Sequence, residues 1–85
     1  SAKEVQPDSE GKFLIAHSES GHHHYVNATG VKMFVDVDPN VCYLKVESKA
    51  FVEHLKPKND PHRHGTQLLD KGLYKINKQR CGSVN

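Results

Sequence analysis

From Val31 to Val37 the apolar residues Val31, Met33, Val35 and Val37 alternate with Lys32, Phe34 and Asp36. A period of two sends every second side chain to one face, so this stretch predicts a half-buried strand with Val35 and Val37 inward. Asp38-Pro39-Asn40 carries turn chemistry. Val41 to Ser48 then returns with Cys42, Leu44 and Val46 on one face, which predicts an antiparallel hairpin. Ala50 to Leu55 either extends that strand or forms a single helical turn.

The same reading extends to both ends of the chain. Phe13-Leu14-Ile15-Ala16 is a β-type apolar run too short for a helix, and His22 to Asn27 should pair back on it across Ser18-Glu19-Ser20-Gly21. Ala28-Thr29-Gly30 breaks the chain before the central strand. Lys56 to Gly65 holds Pro57, Pro61 and Gly65 among charges and reads as an exposed loop. Gln67-Leu68-Leu69, a turn at Asp70-Lys71-Gly72, and Leu73 to Gln79 read as a closing hairpin. Residues 1–12 show no periodicity and are expected to be a flexible arm. Residues 13–80 should form one β domain and 81–85 a tail, with Ser1 to Gln6 and Gly82 to Asn85 mobile. The fold class expected is all-β, a small antiparallel barrel or compact sandwich of five to seven short strands.

Composition narrows what such a fold can rest on. Hydrophobic residues make up 35% and aromatics 7% of the 85 residues, with no Trp, so the core must be thin. Stability should then lean on a metal, on self-association or on a larger assembly. The net charge of +2 excludes a strong polyanion binder, although Lys71, Lys75, Lys78 and Arg80 cluster late in the chain. No apolar run approaches the roughly 20 residues of a membrane helix, and no leader pattern opens the chain. Cys42 and Cys81 show no CxxC spacing and are too few for a disulfide framework, so a reducing compartment is the default expectation, with Cys42 in the core. Asn27-Ala28-Thr29 matches a glycosylation sequon, a pattern short enough to arise by chance.

The chemistry lies in seven histidines. His22 and His24, two apart on a strand, share a face, while His23 points away with Tyr25. The hairpin brings His17 opposite His22. A second group, His54, His62 and His64, follows with similar spacing. Three neutral imidazoles with an open fourth position suit zinc and, less selectively, nickel, copper or iron. His17, His22 and His24 are therefore one candidate metal set and His54, His62 and His64 the other, with Glu19, Glu53 and Asp60 near enough in sequence to join a shell or orient a ring. Histidines at strand ends also commonly face water, so the pattern lacks the specificity of a CxxC pair or an HExxH helix.

Two other classes use the same residues. Paired histidines can act as general acid and base on a phosphodiester, with Lys75, Lys78 or Arg80 holding the phosphate. Nucleic-acid binding would draw on Lys75, Lys78 and Arg80 beside Tyr74, although Tyr74 shares a strand face with Ile76 and so suits the core.

Several stretches resemble known families. His64-Gly65-Thr66 resembles the histidine-x-threonine element of two-histidine phosphoesterases, but His22-His23-His24 offers no Ser or Thr as its counterpart. Gly21-His22-His23-His24 resembles the opening of the cupin metal motif, with Asn27-Ala28-Thr29 where a Glu is expected. A broader likeness joins AHSESGHHHYV near the start to HRHGTQLLDKGLYKINKQR near the end. This arrangement over residues 13–80 is similar to short proteins encoded by tailed bacteriophages, from which it departs at Cys81, where an acid is expected. The resemblance implies a viral protein in a bacterial host cytoplasm or on a phage particle, contacting a host or phage protein or a second copy of itself. It implies no activity. The resulting expectation is an interaction protein with a histidine face that holds a transition metal, and the rivals are a histidine-dependent phosphodiester hydrolase and a weak nucleic-acid binder.

Overall fold

A computed structural model describes residues 2–16, 22–38, 40–55, 64–77 and 80–81. Seven strands run through it: β1 (Lys3–Val5), β2 (Lys12–Ala16), β3 (His23–Asn27), β4 (Val31–Val35), β5 (Val41–Leu55), β6 (His64–Asn77) and β7 (Arg80–Cys81). All pairings are antiparallel, in the order β1-β4-β5-β3-β2-β7 with β6 on β5, and the sheet curls into a half-barrel. The fold is all-β, as the alternation predicts. No helix occurs among the described residues.

The 15-residue β5 is the spine. Its first half pairs with β4, from Cys42 opposite Val35 to Val46 opposite Val31, and its second half pairs with β3, from Val52 opposite Val26 to Leu55 opposite His23. Ala50 to Leu55 therefore extends the strand, and the helical turn does not form. Along its other edge β5 pairs with β6 from Val41 to Leu55, interrupted by a bulge between Val46 and Lys49. Such a bulge sharpens the local twist of a long ribbon and helps it curl.

One face of this curl is the core. Phe13, Ile15, Val26, Val31, Met33, Leu44, Val46, Ala50 and Val52 form a buried cluster, with Val5, Leu69, Tyr74 and Ile76 packed against it. These residues recur at every second position because a strand with one buried face demands it. No polar or charged residue is buried among those described.

β6 already begins at His64, inside the stretch expected to be an exposed loop as far as Gly65, and the rest of that stretch, 56–63, lies outside the described residues. Four further expectations need correction. Val37 is 80% exposed, because β4 ends at Val35 and the hairpin closes below it: Asp36 N–H donates to the Val41 carbonyl and Val41 N–H to the Asp38 carbonyl, each at 3.0 Å. The hairpin expected over 67–79 is instead one continuous strand, since Asp70 and Gly72 both stay in the β5 ladder around the bulge. Within the segment expected to be a flexible arm, Lys3–Val5 pairs with β4, and Asp8 organises the turn that leads into β2. Its Oδ1 accepts from the N–H groups of Glu10 and Lys12 at 2.9 Å, and Gly11 takes a φ of 74° that a residue with a Cβ seldom adopts.

The fourth correction concerns the cysteines, which are joined to each other. Cys42, at the start of β5, and Cys81, in β7, form a disulfide with a Cα separation of 6.5 Å across 39 positions of sequence. β7 pairs with β2 at Ile15 and Ala16, at the far end of the path β5-β3-β2-β7. The bond thus ties the last strand of the curl back to the spine. It also brings Cys81, expected in the tail, onto the core.

Candidate functional site

The site lies where the apolar core gives out. Two successive rows cross the inner face of the sheet from β2 through β3 and β5 to β6. The first is Phe13, Val26, Val52 and Gln67; the next is Ile15, His24, His54 and Gly65. Phe13, Val26 and Val52 are buried, whereas His24 and His54 are half-buried. One step along the barrel therefore replaces two valines by two imidazoles.

The register dictates what those imidazoles meet. His24 and His54 are direct cross-strand partners, and their rings touch edge to face with centroids 4.2 Å apart and planes at 65°. Aromatic rings favour this geometry because a positive edge meets a negative face. Opposite His54 on its other side is Gly65, where an added Cβ would meet nothing within 4 Å. Gln67, one diagonal step away, reaches toward His54, and its Oε1 lies 3.0 Å from His54 Nε2. With the amide oxygen accepting, the ring nitrogen donates. The neutral ring then carries its proton on Nε2 and its lone pair on Nδ1.

Beside this pair opens a cleft of about 340 Å³ whose lining includes Ile15, His24, His54, Gln67, Tyr74 and Lys75. Apolar walls with a few convergent polar groups are the usual make-up of a small-ligand site. Elsewhere the Tyr43 phenol donates to Asp36 Oδ2 at 3.3 Å, and burial, then that carboxylate, push it above its ordinary value. That shift belongs to the β4–β5 turn.

Of the six predicted metal ligands, the structure brings together His24 and His54, one from each set. His22 lies half-buried just before β3, and His23 alternates with His24, opposite Leu55. His64 begins β6 opposite Leu55, one position off the pairing of His54 with Gly65. His17 and His62 lie outside the described residues. Among the described residues no group of three or more His, Cys, Asp or Glu stands together as a metal site. Lys75 is at the cleft, Arg80 pairs with Ala16 in β7, and Lys78 lies outside the described residues. Glu53, proposed as a shell carboxylate, instead lies 3.5 Å from Lys12 Nζ. Sequence reasoning missed Gln67. A polar residue two positions from Leu69 on an otherwise inward row was its one available signal.

No curated protein and no solved structure matches the chain. A family model matches residues 1–79, and the chain accordingly belongs to the family described as a domain of unknown function, DUF8820.

Proposed function

We propose that this chain is a small binding module that holds a transition-metal ion, zinc first, at the His24–His54 end of its half-barrel. The observation that carries this reading is the pairing of two imidazoles across β3 and β5, one of them held by Gln67. Metal-ligating histidines commonly give their other ring N–H to a carbonyl, which fixes the tautomer and aims the lone pair. Gln67 supplies such a carbonyl to His54. A third ligand would come from His22, two residues before His24, or from His17 or His62. The role is interaction within an assembly, in line with the resemblance to small phage-encoded proteins. The disulfide supports a particle over a reducing cytoplasm, because such bonds persist outside reducing compartments.

Elemental analysis of untagged protein and zinc-dependent melting test this reading together. Zinc at about a hundredfold over its dissociation constant should stabilise by roughly 2.7 kcal/mol. Over the entropy of a domain this size that is about 15 °C. His24→Asn and His54→Asn should each abolish the shift, and acid should weaken it because the ligating imidazoles must be neutral. His23→Asn should leave it in place. Protein without metal whose melting ignores zinc would defeat the proposal. Metal-independent cleavage of a phosphodiester, lost in the same variants, would favour the hydrolase that Lys75 at the cleft allows.

A further inference from the structure

The outer edge of β6 has a pattern that fits itself. Among the described residues β6 pairs only with β5, so one side of a 14-residue strand offers its N–H and C=O groups unpaired. Long open edges of this kind recruit another strand unless they are blunted.

The inner face of β6 is defined by what it opposes. Cys42, Leu44, Val46, Ala50, Val52 and His54 stand opposite Ile76, Tyr74, Gly72, Leu69, Gln67 and Gly65. The inward positions are therefore 65, 67 and 69 in the first half and 72, 74 and 76 in the second. The spacing is symmetric about the junction between Asp70 and Lys71, because the bulge shifts the alternation there. A regular strand with a single parity has no such symmetry centre between two residues. Tyr74 holds this midpoint, its hydroxyl donating to the Asp70 carbonyl at 2.7 Å.

Turning a second copy about an axis through that junction superposes inward positions on inward and outward on outward. Leu69 then meets Gly72 of the second copy, and Gln67 meets Tyr74. On the outer face Leu68 meets Leu73, residues that are 45% and 71% exposed in the single chain. Asp70 meets Lys71 and Lys71 meets Asp70, so both central pairs are of opposite charge. Next to Leu68, Phe51 is its direct partner in β5 and is 60% exposed, which extends the apolar strip across the join. Charge, apolar contact and face all agree in one register, and a one-residue slip would break all three.

We infer that this chain forms a symmetric homodimer by antiparallel pairing of β6 with β6, centred between Asp70 and Lys71. The two half-barrels become one continuous sheet through an isologous contact, the commonest symmetry among soluble oligomers. The pairing uses neither His24 nor His54 and therefore stands independently of the metal proposal.

Sedimentation of the full chain across a concentration series, in chelator, gives the test. The unsubstituted protein should move from the 9.6 kDa monomer towards twice that mass. Asp70→Lys alone, or Lys71→Glu alone, places two like-charged pairs at the centre and should weaken dimerisation by on the order of tenfold or more. The double variant Asp70→Lys/Lys71→Glu restores opposite charges and should recover the dimer. Both side chains are exposed, so far-ultraviolet circular dichroism should be the same for all four proteins. A monomer at every concentration would overturn the inference. So would a dimer indifferent to the single substitutions, or one weakened by them and not restored by the double.

Discussion

Removing the Cys42–Cys81 bond should uncouple β7 from the spine at a cost that its loop length sets. In the chain-entropy treatment a cross-link stabilises by restricting the unfolded chain, and a sequence separation of 39 corresponds to about 4 kcal/mol. Unfolding entropy of about 2.1 cal/mol/K per residue gives roughly 0.18 kcal/mol/K for 85 residues, so the melting temperature should fall by about 20 °C. Removing a native bond typically costs about 2–5 kcal/mol, so roughly half the shift remains consistent with the mechanism. Cys81→Ser is the better perturbation, because it leaves the fully buried Cys42 in place as an ordinary small hydrophobe. Thermal melts with and without a reductant should show a large drop for the unsubstituted protein and none for Cys81→Ser, which should already melt low. Amide exchange should accelerate at Ile15 and Ala16, the two residues β7 pairs with. A reductant-induced drop smaller than about 5 °C, well under the loop-closure value, would refute the view that the bond closes the curl.

Leu44→Ala should cost about 2–5 kcal/mol in chemical denaturation, because Leu44 is only 2% exposed and its neighbours cannot all collapse into the space. Val37→Ser, on the 80% exposed side chain beyond β4, should stay within about 0.5 kcal/mol. Gln67→Ala should leave the metal-free melting temperature nearly unchanged and weaken zinc binding by roughly 10- to 100-fold in titration calorimetry, the usual effect of losing the group that orients a ligand. Unchanged zinc affinity in that variant would mean that the Gln67 carbonyl does not set the His54 tautomer.

The strands were legible where one face alone is buried. Val31 to Val35 and Val41 to Val46 alternate because only their even or odd positions reach the core, and the pairing of Phe13–Ala16 with His23–Asn27 follows from two short runs flanking a turn-forming stretch. Legibility failed where local chemistry and tertiary pairing disagree. Asp70-Lys71-Gly72 is turn chemistry by composition, yet the long β5 offers a ladder on both sides of the bulge, and those pairings override the local preference. Val37 continues the alternation but lies past the last ladder pair, so its period carries no burial. Of the site, the alternation that sets His24 apart from His23 was readable from spacing. The partnership with His54 was not, because it depends on β3 docking against the second half of β5, a long-range pairing that no local pattern encodes. The disulfide was hidden for the same reason: 39 positions separate its ends, and only the curl of the sheet brings them together.

The row order across the barrel separates the histidine pair from the burial that holds the fold. Phe13, Val26 and Val52 lie at most 4% exposed, one step below the histidines, and with Met33 and Leu44 they contribute the apolar burial that holds the curl. His24 and His54 sit on the next row, half-buried. Loss of the His54 ring takes away its contact with His24 and its hydrogen bond with Gln67 rather than a piece of the core, and neither of these is worth more than about 1.5 kcal/mol. Gly65 obeys the same logic: opposite His54 it leaves open space that a side chain could fill, while Gln67 reaches the ring from one diagonal step away. A Gly65→Val substitution would therefore suit the strand by propensity and disturb no core residue, while adding a branched side chain to the row of His54 at the open end of the barrel. Its effect should fall on ligand affinity and not on metal-free stability, which is the behaviour expected of an end of the barrel shaped for binding rather than for folding.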